Sequence, residues 1–137
     1  MGDFANLSYA TALGLLFMAV YIPNCCTVNL ASTINEENGF GPLGFIMIGS
    51  MYLGLMIGSF ICVAMTVKIG VKKTFTLGGI LLSTMAFVQM MVYINDDAMH
   101  GLISFGLIIS SMASGFGQAL MWIAQGEYIG KCATAKT

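Results

Sequence analysis

LGFIMIGSMYLGLMIGSFICVAMTV, residues 43–67, runs directly into KIGVKK, residues 68–73. The first string has no charged side chain, and its length exceeds the roughly 20 residues that a helix needs to cross a bilayer core of about 30 Å. Its apolar residues are continuous, whereas a barrel strand would alternate them with polar ones, so the segment reads as a membrane helix. The second string puts Lys68, Lys72 and Lys73 around Gly70, a tight basic turn that would hold one end of the helix at the membrane surface.

Three further apolar runs flank this pair, at Leu7–Val28, Thr74–Ile94 and Leu102–Ala124. Each reaches a spanning length. Only helices and closed barrels satisfy their backbone hydrogen bonds in lipid. The expected fold is therefore an all-α membrane protein with four transmembrane helices, a single transmembrane domain over residues 1–137. Composition agrees: the 137 residues are 58% hydrophobic and 8% charged, against roughly 25% charged in a soluble domain. The net charge of −1 gives no basic footprint for nucleic acid.

Every charged side chain falls outside the four runs. Glu36 and Glu37 lie in the first connection, Lys68, Lys72 and Lys73 in the second, Asp96 and Asp97 in the third, and Lys131 and Lys136 in the tail. The lysines thus gather on one side, which the positive-inside rule assigns to the cytoplasm. Both termini are expected there, and the acidic loops opposite. Trp122 and Tyr128 are expected at the cytoplasmic end of the fourth helix, in the headgroup layer. The N-terminus lacks the basic residue of a signal peptide or transit sequence. Met-Gly-Asp-Phe-Ala-Asn departs from a myristoylation signal at Asn6. The sequon Asn6-Leu7-Ser8 would face the cytoplasm, where it would go unused.

Small residues recur at helical spacing. Ser50, Gly54, Gly58 and Cys62 form one row in the second helix, with Gly54 and Gly58 as a G-x-x-x-G pair. Gly106, Ser110, Ser114 and Gln118 form another in the fourth. Such rows let helices approach closely. Packing within the chain is the simpler use, and a dimer seam or a substrate-path helix is the sharper one. Uncharged amides inside the runs are Asn24, Gln89 and Gln118, with Gln125 near a boundary. They serve either as helix-to-helix glue or as a polar path. Pro23 is expected to kink the first helix, and Gly39-Phe40-Gly41-Pro42 to make a turn.

No Asp, Glu, Lys, Arg or His stands inside a run, which counts against ion-coupled transport by this chain alone. His100 is the single histidine, in a polar loop, and Glu127 reads as a solvated interfacial acid. Cys25, Cys26, Cys62 and Cys132 lack metal-ligand spacing and read as small membrane side chains. No nucleophile–base pair, paired carboxylates or phosphate loop is visible. No enzymatic activity, cofactor or metal is expected.

The basic turn with its flanks resembles the connection between helices two and three of the major facilitator superfamily, G-x-x-x-D-[RK]-x-G-[RK]-[RK]. Lys68, Gly70 and Lys72 match, while Val63, Val67 and Val71 replace the glycine, the aspartate and one basic residue. Residues 120–128, LMWIAQGEY, resemble the L-W-x-A-Q-G-x-Y stretch of the Unc ninety-three-like branch through Trp122, Gln125, Gly126 and Tyr128, with Met121 inserted. The order of features fits over nearly the whole chain. The resemblance implies the first four of about twelve helices, and a role as regulatory partner of an ion channel, as trafficking chaperone or as transporter. A facilitator cavity needs both six-helix halves, and the missing aspartate puts the usual gating in doubt.

Three roles are therefore expected in order. The first is a non-enzymatic regulatory or accessory subunit of an ion channel or membrane complex. The second is a partial facilitator-type transporter of a small solute, completed by further helices or by oligomerisation. The third is a structural subunit of a large membrane assembly. The expected partners are the lipid bilayer and a membrane protein or a second copy of the chain.

Overall fold

A computed structural model describes the backbone of residues 2–94 and 99–134, and the side chains of 7–93 and 99–132. Four long helices are present: α1 Gly2–Glu37, α2 Leu43–Ile69, α3 Val71–Met90 and α4 His100–Thr134, with a short 3-10 turn Met91–Ile94 closing α3. All four are long and apolar enough to cross a membrane. The chain is an all-α, multi-pass membrane protein.

The helices overrun the apolar runs. α1 extends to Glu37 and passes unbroken through Pro23, so Glu36 and Glu37 belong to its last turn and not to a loop. α4 continues ten residues past Ala124, and Glu127 there pairs with Lys131 at 2.7 Å. An exposed pair one turn apart contributes only about 0.3–0.5 kcal/mol, but it favours continuing the helix. His100 opens α4, where its ring stacks on Phe40 at 4.1 Å. It is not a loop residue. Lys72 and Lys73 stand in the first turn of α3 and Lys68 in the last turn of α2. Asp96, Asp97 and Lys136 lie outside the described residues.

The expected turns are present. Gly39 and Gly41 take positive φ of 83° and 54°, and Gly70 takes 88°. Glycine adopts this region without the Cβ penalty of other residues. Gly70 alone joins α2 to α3.

α4 is the centre of the bundle. It lies between α2 and α3 and packs closely along both, while α2 and α3 touch each other little. Glycine explains the closeness. A Cβ on Gly54 would run into the Met112 carbonyl, and one on Gly115 into the Met51 carbonyl. Gly78 and Gly117 face each other across α3 and α4 in the same way. Small residues let helix backbones meet, and van der Waals packing then holds them without any hydrophobic drive. Ser114 Oγ adds a hydrogen bond to the Leu82 carbonyl at 3.4 Å. α1 attaches from outside. Ser32 lies on Gly44, and Phe17 and Tyr21 pack on Trp122 with ring centroids 5.1 and 5.7 Å away.

Candidate functional site: a polar cleft on α1

The two small-residue rows are spent inside the chain. Gly54 and Gly58 meet Met112, Phe116 and Ala119 of α4. Ser110 and Ser114 are buried, Ser50 Oγ reaches the Ile108 carbonyl at 3.4 Å, and Gly106 faces Val88. The row on α2 is therefore filled by α4 and is not open to a partner.

The amides separate into two places. Asn24 and Gln118 come together on one cavity of about 200 Å³, lined also by Tyr21, Asn29, Met51 and Tyr52. Asn24 is buried, Asn29 and Tyr52 are exposed, and Gln118 donates weakly to the Met51 sulfur at 3.5 Å. A thioether is a poor acceptor, so this amide is under-used. Gln89 lies elsewhere. It is 4% exposed and donates at 3.1 Å to the Asn35 side-chain oxygen, while Asn35 donates to the Met47 sulfur at 3.1 Å. Gln89 Oε1 has no partner. The three amides do not form one path. Asn24 and Gln118 share a cleft, and Gln89 is glue between α1 and α3.

Asn35 is the residue that sequence reading passes over. It follows the apolar run and precedes two glutamates, so it looks like loop. It is in fact fully buried, and the only signal was that helix periodicity could run on to Glu37.

The depth of the cleft follows from helix register. Met51 and Tyr52 are about 18 residues before Gly70 on α2, roughly 27 Å at the rise of 1.5 Å per residue. Ile69 and Leu43 bound this helix, so the cleft lies inside the apolar span. An amide exposed there faces hydrocarbon unless another polar group covers it, and such exposure is costly.

Trp122 belongs to an aromatic cluster between α1 and α4. Gly78 and Gly117–Met121 are in contact, which sets Trp122 roughly 10 Å deeper than the Gly70 turn by the same rise. It is a clamp on Phe17 and Tyr21. The rest of the 120–128 stretch divides. Gln125 Oε1 is buried without a partner, a Cβ on Gly126 would meet open space, and Tyr128 lines a groove beside Tyr9 and Lys72.

No family model, curated protein or solved structure matches the chain.

Proposed function

We propose that the chain is a non-enzymatic accessory subunit of a membrane-protein complex, and that it meets its partner through α1 and the Asn24–Gln118 cleft. The observation that carries this reading is the cleft itself. It brings Asn24 and Asn29 of α1, the helix with the least of its apolar stretch buried in the bundle, together with Tyr52 of α2 and Gln118 of α4. A partner helix with a polar side chain at that depth would satisfy them, and interhelical amide bonds of this kind contribute about 0.6–2 kcal/mol each. The likeness of residues 120–128 to the Unc ninety-three-like branch supports an ion channel as the partner. The lysines at the Gly70 turn support a cytoplasmic position for that side and for both chain ends.

The test is site-specific photo-crosslinking in native membranes. A crosslinker at Asn29 is expected to give one discrete adduct, and a crosslinker at Phe60, 82% exposed on α2, to give none. Asn24→Leu with Gln118→Leu should remove the Asn29 adduct. Equal adducts from both positions would sink the proposal.

A transporter reading draws on the same cavity, because Asn24 and Gln118 could line a solute path once further helices close it. Saturable flux through reconstituted protein, abolished by Gln118→Leu, would favour it over the accessory role.

A further inference from the structure

A second recess lies at the opposite end of α1, close to the Gly70 turn. It is a groove of about 590 Å³ between α1, α3 and α4, lined by Tyr9, Leu13, Leu16, Lys72, Phe75 and Tyr128, among others. Its walls are aliphatic and aromatic. The polar residues that line it are Lys72, Tyr9, Thr76 and Tyr128. Helix register fixes its height. Ser32 opposes Gly44 and Ala119 opposes Gly58, so Tyr9 and Tyr128 fall within about one helical turn of the level of Gly70. That level carries Lys68, Lys72 and Lys73. The groove therefore opens at the membrane surface on the side where three cations gather, and runs from there into the apolar layer.

We infer that this groove binds one anionic phospholipid, with an acyl chain along Leu13, Leu16 and Phe75 and the headgroup phosphate at Lys72. Two features select this occupant. The first is charge complementarity: Lys72 is exposed and is joined to no acid by an ion pair among the described residues, so a phosphate is the counter-ion that the bilayer itself supplies. Basic pockets between membrane helices hold acidic headgroups by this attraction. The second is the layering of the site. Tyrosine hydroxyls and a lysine stand at headgroup height over an apolar floor, the arrangement that aromatic belts use at the interface. A zwitterionic lipid would fill the same apolar floor, but its own ammonium would compete with Lys72 for the phosphate.

Spin-labelled phosphatidylglycerol and spin-labelled phosphatidylcholine, each added to phosphatidylcholine bilayers holding the full chain, separate the possibilities. The immobilised fraction is expected to be larger for phosphatidylglycerol. Lys72→Gln should lower that preference about fivefold, the effect of one lysine on attraction to an acidic surface. Lys73→Gln, outside the groove, should leave most of it. Ala12→Trp should reduce it with no change in charge, by filling the groove. Equal losses from Lys72→Gln and Lys73→Gln would mean a diffuse surface field and overturn the site. An unchanged preference in Ala12→Trp would overturn it as well.

Discussion

α4 and α1 have almost the same length, 35 and 36 residues, yet they occupy opposite roles. Over the most apolar 18-residue stretch, 56% of α4 is buried within the chain and 6% of α1. α4 puts glycine and serine on two faces and is gripped from both sides. α1 touches the bundle through Ala31, Ser32 and Asn35 towards one end and through one aromatic cluster towards the other. Lipid tails are as apolar as leucine, so burial between membrane helices is set by how closely backbones can approach and by polar pairing, not by greasiness. α2 has a mean hydropathy above that of α4 and is still less buried. The contrast shows that internal burial in this chain follows small residues.

The comparison breaks most sharply at Gly115. Gly115→Leu drives a side chain into the Met51 backbone and should cost 3 kcal/mol or more, the upper range for overpacking a close contact. Reversible unfolding in mixed micelles reads it, and a loss under about 1 kcal/mol would mean that α2 and α4 do not meet there. Next comes Gln89→Leu, which leaves the Asn35 side-chain oxygen buried without a donor. It should cost about 1–2 kcal/mol, and Gln89→Met should not restore the loss, because a thioether has no proton to donate. Trp122→Ala should free α1 more than α4. The aromatic contacts are worth about 0.5–1.5 kcal/mol per pair, so hydrogen exchange should rise across residues 10–25 while the α2–α4 contact stays protected. Equal exchange in both helices would make the bundle a single cooperative unit. The smallest effect is expected at Gly14→Leu, where nothing lies within 4 Å. Unfolding should shift by less than about 0.5 kcal/mol, or toward stability, since glycine disfavours a helix by about 1 kcal/mol.

Much of this architecture was legible in the sequence because the bilayer allows few solutions. An uncharged run of spanning length must be a helix or part of a barrel, and Gly70 among Lys68, Lys72 and Lys73 marks the turn. Gly54 and Gly58 were legible as a packing face through their spacing. Gly115 and Gly117 were not, because a helix held on two sides needs two contact stripes, and the Gly106–Ser110–Ser114–Gln118 row describes neither alone. The helix ends were missed for another reason. Hydropathy reports where lipid stops, whereas the helix stops where its hydrogen bonds do, and Glu36, Glu37, Gln125, Glu127 and Lys131 are good helix formers that carry it on. The union of Asn24 with Gln118 depends on how α1 leans on α4, which no local pattern encodes, and the separation of Gln89 from them has the same origin.

Gly70 has one more consequence, in the order of manufacture. The ribosome delivers α2 and α3 as a hairpin before α4 exists, since chains emerge from the N-terminus onward. Until α4 arrives, the hairpin has two vacant glycine slots, Gly54 with Gly58 on one arm and Gly78 on the other. α4, made after both arms, is therefore the keystone, and the newborn hairpin must stay open, shielded by lipid or a chaperone, until that keystone drops between its arms.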